Sequence, residues 1–304
     1  MLSVSDIEII INNNSGVNNK DDTLKLLSET LESRGLKANI NLAKSGEEVI
    51  KLAERALQSN CQIVVAGGGD GTINAVASIL AGTDKILGVL PLGTLNHFAK
   101  DMLIPLDLES AVQNLLEGHI VKVDVGMVND RVFINNSSLG LYPHLVHQRK
   151  KHQRRGLSKW TAFLWALLIV LRRYPLMRVR LEVNGQDFAH RTPFVFIGNN
   201  EYNFNFFDIG SRGCLDAGQL SLYIAPFTGR FGLFRLGLRA FFGKLNEATD
   251  FTILCTKEVW VDTRRRIRVA TDGEVFLMEP PLHYKIQPAA LRVLVPDTGE
   301  AGNK

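Results

Sequence analysis

The chain has 304 residues, 45% of them hydrophobic and 22% charged, with a formal net charge of +4. This length is enough for two domains of ordinary size, and the composition is that of an ordinary soluble protein. The chain lacks the pattern of a signal peptide, its longest apolar run is too short to span a bilayer, and its three cysteines have no metal-ligand spacing. We therefore expect a cytoplasmic protein with free thiols.

The first 120 residues alternate between strand and helix patterns. Helical stripes begin at Asp21 and in the run after Ser45, which forms a capping box with Glu48; further helical patterns cover 72–80 and 111–116. Continuous apolar strands separated by helices indicate a parallel sheet that is covered on both faces. The predicted strands are 7–11, 36–42, 62–66 and 85–90.

After about residue 120 the pattern changes to strand-like runs joined by turn residues such as Asn129-Asp130 and Asn184-Gly185. Two helical patterns, at 157–172 and 231–242, interrupt them. This half is predicted to be mostly antiparallel, as a β-sandwich. The predicted strands begin near residues 121, 129, 177, 194, 219, 251, 259, 266, 282 and 291.

A glycine-rich turn, GGGDGT at 67–72, falls where a predicted parallel strand ends and a helix begins. Glycines let backbone N–H groups approach a ligand closely, and a helix N-terminus attracts anions. Open α/β sheets bind their ligands at this edge. We therefore predict a phosphate cradle whose members are Gly67, Gly68, Gly69, Asp70, Gly71, Thr72 and Asn74.

Asp70 is unusual in such a cradle, because a carboxylate repels a phosphate unless a cation lies between them. It therefore favours a Mg²⁺ ion, although a simple helix cap would also place an aspartate there. A second turn, LPLGTLNHFAKDM at 90–102, repeats the arrangement one strand later, and Gly93, Thr94 and Asn96 could complete a nucleotide pocket. Neither GxxxxGK[ST] nor GxGxxG is present, which excludes the usual P-loop and the dinucleotide fingerprint.

Three motifs in order, GGGDGTINAV, PLGTLNHFAKDM and TDGEVF at 271–276, followed by QPAALRVLVP, resemble the diacylglycerol kinase catalytic-domain family. That family includes sphingosine kinases and bacterial YegS-like lipid kinases. The resemblance implies a Rossmann-like ATP-binding α/β domain over 1–124, to which the tail 288–304 returns, and a β-sandwich domain for the lipid substrate over 125–287. It also implies an ATP-dependent, Mg²⁺-dependent lipid kinase of phospholipid metabolism, with diacylglycerol as one acceptor.

Asp272 in TDGE corresponds to the family's proposed general base. It is an acid in a turn between apolar strands, and Gly273 after it lets a substrate approach. An Asp-Gly pair is also a common hairpin turn, which is the alternative interpretation. Glu274 is a candidate metal ligand or hydrogen-bonding partner of the same site.

The chain departs from the family pattern at three positions. Ala75 stands where the family usually has Glu, His97 stands where it has Asp, and Ala217 stands at an acid position of a structural Mg²⁺ site, which leaves Asp216 as a candidate metal ligand. These changes motivate an alternative, a catalytically weak protein that binds lipid or nucleotide. A soluble-metabolite kinase of the NAD-kinase type is a further alternative, which the second turn and the basic segment disfavour.

A basic segment occupies the middle of the chain. Between Arg131 and Leu181 there are eleven Lys or Arg and no acid, so the remainder carries 24 cations and 31 acids. The apolar run 160–171 lies between cations at 147–175, which predicts an element that docks on the anionic inner face of the membrane; a core helix is the alternative. No nucleic-acid motif accompanies the charge, so we expect no nucleic-acid partner. Homodimer formation is left open.

Overall fold

The computed structural model describes residues 7–13, 20–33, 38–141, 143, 176–183, 185–203, 211–212, 215–225, 229, 232 and 251–297. The predicted helix at 157–172 and the basic run at 149–155 lie outside these residues, as does the predicted helix at 231–242 apart from residue 232. The chain divides into two compact units, Met1–Val125 with Pro288–Lys304, and Gly126–Gln287. Among the described helices, none is long and apolar enough to cross a membrane.

The first unit is a parallel sheet with helices, which confirms the predicted α/β fold. The strands are β1 (Ile7–Asn12), β2 (Ala38–Ala43), β3 (Ile63–Gly68), β4 (Ile86–Pro91), the beginning of β5 (His119–Val128) and the end of β18 (Leu282–Val295). The sheet order is β2-β1-β3-β4, and the C-terminal half of β18 pairs in parallel with β4. The helices are α1 (Lys20–Ser33), α2 (Gly46–Gln58), α3 (Asp70–Leu80), α4 (His97–Asp101) and α5 (Leu108–Glu117).

Every residue of β3 and β4 is buried, as expected for central parallel strands that are covered on both faces. The predicted cap of α2 is present in part. The Ser45 hydroxyl accepts a hydrogen bond from the Glu48 N–H at 3.2 Å, but the Glu48 carboxylate accepts from the Lys44 N–H at 2.7 Å instead of from Ser45. The Asp107 carboxylate caps α5 by accepting from the Ser110 N–H at 2.8 Å, a bond that lowers the pKa of Asp107.

The end of β18 is fastened to the first unit by side chains as well as by strand pairing. The buried Asp124 carboxylate accepts from the Ala289 N–H at 2.8 Å, and the buried Asn114 amide donates to the Leu294 carbonyl at 3.2 Å. Both bonds join residues more than 160 positions apart. They hold the last strand beside the sheet that carries the glycine-rich turns.

The second unit is a β-sandwich, as predicted. Its strands are β6 (Arg131–Phe133), β7 (Asn136–Gly140), β8 (Met177–Val183), β9 (Gln186–Thr192), β10 (Phe194–Asn199), β11 (Tyr202–Asn203), β12 (Ser211–Arg212), β13 (Leu220–Ile224), β14 (Thr252–Thr256), β15 (Glu258–Thr263), β16 (Ile267–Thr271) and β17 (Glu274–Met278).

Two sheets form the sandwich. One antiparallel sheet has the order β14-β13-β10-β7-β16-β17, and the other has the order β18-β15-β8-β9 within this unit. The two sheets share one core, to which Leu139, Val195 and Val269 contribute from the first and Val179, Val261 and Tyr284 from the second.

Tyr284 places a hydroxyl inside this core, 3.0 Å from the Ser137 hydroxyl, which lies 3.0 Å from the Ala270 carbonyl. Burial raises the pKa of Tyr284 above its ordinary value near 10. The folded protein therefore keeps a proton that the unfolded chain releases above about pH 10, so stability is lost as the pH rises from there toward the folded pKa. We expect Tyr284→Phe to lower the free energy of unfolding by about 1 kcal/mol at neutral pH and to flatten its alkaline decline.

Urea unfolding of the parent and of Tyr284→Phe, at neutral pH and at several values above about pH 10, checks this prediction. An alkaline decline that is equally steep in both proteins would show that another group is responsible for it.

Candidate functional site

The first glycine turn is shorter than the sequence predicts. Strand β3 continues through Gly68 and helix α3 starts at Asp70, which leaves Gly69 alone as the N-cap residue, without a side-chain cap. The Gly69 carbonyl accepts from the N–H groups of Thr72 and Ile73 at 2.9 and 3.1 Å. The N–H groups of a helix's first turn have no partner within the helix, so this edge of the sheet suits an anionic ligand.

Packing explains three of the residues that sequence reasoning assigned to the nucleotide. A Cβ atom on Gly68 would lie 2.5 Å from the Thr72 hydroxyl oxygen, and one on Gly67 would lie 2.9 Å from Ile11. The buried Thr72 hydroxyl accepts from the Asn12 side-chain amide at 3.0 Å. Gly67, Gly68 and Thr72 therefore hold the end of β1 and the start of α3 tightly against β3.

The two glycine turns touch each other. A Cβ atom on Gly93 would lie only 2.4 Å from the Gly69 Cα atom and 2.6 Å from the Asn96 side-chain oxygen. The Leu92 N–H donates to the Gly68 carbonyl at 2.9 Å, next to this contact. Only glycine at position 93 allows this approach, so the two turns lie in contact.

Asn96 shapes the second turn from inside. Its side chain is buried and its backbone is left-handed, with φ of 49°. The side-chain oxygen accepts from the Gly93 N–H at 3.1 Å, and the side-chain nitrogen donates to the carbonyls of Pro91 and Gly93 at 3.2 and 3.0 Å. The Asn96 side chain thus holds the second turn by hydrogen bonds to the backbone of that turn. Thr94 is exposed at the tip.

Asp70 links the two turns. It is half-buried at the start of α3, and its carboxylate accepts from the Phe98 N–H, in α4, at 3.4 Å. His97 beside Phe98 is exposed, and Ala75 is half-buried in α3. The described residues contain no group of three or more His, Cys, Asp or Glu side chains that could hold a metal ion, so Asp70 does not belong to such a cluster.

Asn74 lies one turn into α3, behind Asp70. Its side chain is half-buried, and its side-chain oxygen is enclosed without a hydrogen-bond partner in the described part of the chain. Buried polar atoms are normally hydrogen-bonded. Asn74 therefore brings to the predicted cradle an amide oxygen with which none of the described residues forms a hydrogen bond.

Asp272 forms the turn of the β16–β17 hairpin. Asp272 and Gly273 both have positive φ, 46° and 82°, as a two-residue type I′ turn requires. The Asp272 N–H donates to the Asn136 carbonyl at 2.9 Å. The backbone of Asp272 thus forms the hairpin turn of the alternative interpretation. A role as general base depends on its side chain.

The Asp272 carboxylate is held by three backbone N–H groups. It accepts from Ile134 at 2.8 Å through one oxygen, and from Asn135 and Asn136 at 2.9 Å each through the other. Hydrogen bonds to an ionised carboxylate are stronger than neutral ones. They fix the orientation of this half-buried side chain at one end of the six-stranded sheet.

A set of buried asparagines around this carboxylate was missed by sequence reasoning. Asn199 donates from its side chain to the Ile134 carbonyl and from its backbone to the Asn135 carbonyl, both at 2.9 Å. The neighbouring Asn200 is left-handed, with φ of 66°, and exchanges hydrogen bonds with the Gln219 backbone. The available signal was the pair Asn199-Asn200 at the end of a strongly apolar strand pattern.

The other predicted acids of the second unit are on its surface. Glu274 begins β17 with an exposed side chain, opposite Thr271. Asp216 is exposed in the segment before β13. Neither joins a cluster of potential metal ligands within the described residues.

Two models of known protein families match this chain. Residues 6–128 match the model of the diacylglycerol kinase catalytic domain, and residues 144–295 match that of the YegS C-terminal NAD kinase beta sandwich-like domain. The chain belongs to the diacylglycerol kinase family. This confirms the family that the motifs indicated.

Individual members of the family agree with this assignment. The chain is 31% identical to a YegS-like lipid kinase of Klebsiella pneumoniae over 200 residues, and 30% identical to a diacylglycerol kinase of Staphylococcus carnosus over 183 residues. These matches cover 65% and 60% of this chain, and they span 66% and 59% of the two relatives' lengths. The crystal structure of a diacylglycerol kinase from Bacillus anthracis shares the fold, with a TM-score of 0.72 at 18% identity over 98% of this chain and 99% of that one.

Proposed function

We propose that this family member is an ATP-dependent lipid kinase that transfers the γ-phosphoryl group to the hydroxyl of a lipid such as diacylglycerol. The observation that carries the proposal is the contact between the two glycine turns, at Gly69 and Gly93, where α3 begins. Backbone N–H groups and a helix N-terminus favour phosphate there, at the edge where open α/β sheets bind ligands. The relatives named as lipid and diacylglycerol kinases support the same activity.

In this proposal the first unit binds the phosphates of ATP. The backbone of Gly69, Asp70 and Gly71 faces them at the first turn of α3, and Gly93 with Thr94 borders them from the second turn. Gly67, Gly68, Thr72 and Asn96 act indirectly, since their contacts shape the two turns. Asn74 lies in the same helix, with a buried side-chain oxygen that has no partner among the described residues.

Asp70 fits a Mg²⁺ ion that is held jointly with the nucleotide. Mg²⁺ at kinase sites is typically bound through one or two carboxylates together with substrate phosphates, and not by a cage of protein ligands. A single half-buried carboxylate beside a phosphate cradle is such a donor set. When bound, the ion neutralises charge that develops on the phosphates. Asp216 stays a predicted ligand of a separate cation.

Asp272 is the proposed general base. Its carboxylate takes the proton of the acceptor hydroxyl while that oxygen forms its bond to the γ-phosphorus and the bond from the γ-phosphorus to the bridging oxygen breaks, which releases ADP. The three N–H donors keep the carboxylate in one orientation, as a base requires. Glu274, which is exposed two residues later, is a secondary candidate for binding the acceptor or a cation.

We further propose that the protein acts from the cytoplasm, peripherally on the inner face of the membrane, because its acceptor is a lipid. The basic segment at 147–175 is one predicted contact with anionic lipid. The whole of this segment lies outside the described residues.

The test is phosphoryl transfer from γ-labelled ATP, with Mg²⁺, to diacylglycerol in mixed vesicles, with Asp272→Asn in parallel. Label in phosphatidic acid with the parent alone supports the proposal. Label in a phosphorylated NAD instead, when NAD is the acceptor, would replace it with a soluble-metabolite kinase. Binding of ATP and lipid without transfer, across Mg²⁺ and Mn²⁺, would leave a protein that binds both without catalysis.

A further inference from the structure

An arginine-rich turn joins β15 to β16. Residues 263–268 read TRRRIR, and the side chains of Arg264, Arg265, Arg266 and Arg268, which we call the arginine patch, are all exposed. The Thr263 hydroxyl donates to the Arg265 carbonyl at 2.9 Å, which braces the turn. Four cations thus stand within five consecutive residues of the connection between the two sheets of the sandwich.

Little of this charge is neutralised by the protein. Arg266 pairs with Glu279, whereas Arg264, Arg265 and Arg268 form no ion pair within the described part of the chain. Asp262 and Glu279 are the acids nearest in these strands, so the patch keeps a positive excess. Like charges that are grouped in this way repel one another and attract an anionic surface.

An exposed apolar side chain lies beside the patch. Leu277 on β17 is 62% exposed and is paired with Arg268 across the hairpin, so the two side chains share one face. At the edge of the same hairpin, the Arg131 guanidinium lies 3.7 Å from the centre of the Phe276 ring. Cations around an exposed leucine are the composition of a surface that lies against lipid headgroups.

The patch and the proposed base are carried by the same hairpin. Arg268 lies in β16, and Asp272 follows the end of that strand at Thr271. At roughly 3.3 Å per residue, the four residues from Arg268 to Asp272 span about 13 Å. A surface that holds Arg268 and Leu277 therefore also holds the hairpin that ends in the Asp272 turn.

We propose that the arginine patch, with Leu277, docks this protein on an anionic lipid bilayer. The inference rests on the proposed function in one respect. A protein that phosphorylates a lipid must reach the bilayer that contains it. Docking of this face holds the hairpin at headgroup level, where an acceptor hydroxyl is presented. The arginines bind the negative surface and Leu277 enters the interface.

The test is co-sedimentation of the full-length protein with vesicles of phosphatidylcholine, with and without phosphatidylglycerol. The parent should bind the anionic vesicles, less tightly as salt is raised. Arg264→Gln, Arg265→Gln and Arg268→Gln combined should weaken that binding by about 100-fold, since each arginine contributes about a factor of five. Leu277→Asn should weaken it further without changing the net charge. The matched control combines Lys44→Gln, Arg55→Gln and Lys122→Gln, which removes three exposed cations of the first unit.

Three outcomes would overturn the docking proposal. These are anionic-vesicle binding by the arginine variant that equals the parent's, an equal loss in the control, and displacement of the parent from vesicles by double-stranded DNA at matched salt. Activity on a water-soluble short-chain diacylglycerol separates the two proposals. An arginine variant that keeps this activity but loses vesicle binding supports both, whereas vesicle binding by a parent without any kinase activity removes the proposed function alone.

Discussion

Asp272→Asn is expected to lower kcat by about 10²–10⁴-fold, the usual contribution of a positioned general base. The substitution preserves shape but removes the negative charge that accepts the proton. The KM for ATP should change little, because the proposed role of Asp272 is to take a proton from the acceptor hydroxyl and not to bind the nucleotide. A fall in kcat with unchanged KM identifies an interaction made in the transition state, and steady-state kinetics at saturating ATP measures it.

The same substitution should also cost stability, and this must be separated from catalysis. An asparagine side chain has one acceptor oxygen, so it cannot accept from Ile134 on one side and from Asn135 and Asn136 on the other. We expect a loss of about 1–3 kcal/mol in the free energy of unfolding. Kinetics is therefore normalised to the folded fraction, and Asp130→Asn, in another exposed hairpin turn of the same unit, is the matched control. A kcat loss no larger than in that control would assign Asp272 to the hairpin alone.

The α/β half of the fold could be predicted because its signals are local. Continuous apolar strands and the Ser45 cap lie within a few residues of the elements they define, and the observed strand β3 and helix α3 differ from prediction by two residues at the turn. That difference has a physical cause. The glycines were assumed to form a loop, but Gly67 and Gly68 continue the strand by pairing with its neighbours. Glycine is needed at both positions because a side chain there would strike Ile11 or Thr72.

The sandwich was predictable as a class but not strand by strand. Strand β7 (Asn136–Gly140) is polar in sequence and was missed, yet its Ser137 and Ser138 are buried among pairing partners from β10 and β16. Two predicted runs, 282–286 and 291–295, belong to the single strand β18, which continues between them although Ala289 is left-handed, with φ of 52°. Pairing between distant strands decided both cases, and it leaves no local pattern.

The candidate site shows the same division. The glycine turns and Asp272 were found from sequence because their residue types are unusual at those positions. What holds them was not found, since the donors to Asp272 lie more than 130 residues away, at 134–136. The inward-pointing role of Asn96 was also hidden, because sequence gives the presence of an amide but not the direction of its hydrogen bonds.

Gly93→Ala is expected to weaken ATP binding at least tenfold and to lower the free energy of unfolding by about 1–3 kcal/mol. The new Cβ would lie 2.4 Å from the Gly69 Cα atom, and backbone cannot move aside as a flexible side chain can. The turns must separate, which also disturbs the Asn96 hydrogen bonds. Calorimetric titration with ATP and urea unfolding measure the two effects. An unchanged ATP affinity would show that contact between the turns is not needed for the nucleotide site.

Gly71→Ala provides the complementary experiment, because it separates contact with the ligand from contact within the protein. Gly71 is exposed in the first turn of α3, and a Cβ atom there would meet nothing within 4 Å. Stability should therefore stay equal or rise by about 0.4–1 kcal/mol, while ATP binding weakens if a phosphate rests against this backbone. Gly46→Ala, which is equally open at the start of α2, should leave ATP binding unchanged. If Gly71→Ala binds ATP as the parent does, the phosphates do not lie on the first turn of α3 and the cradle must be assigned elsewhere.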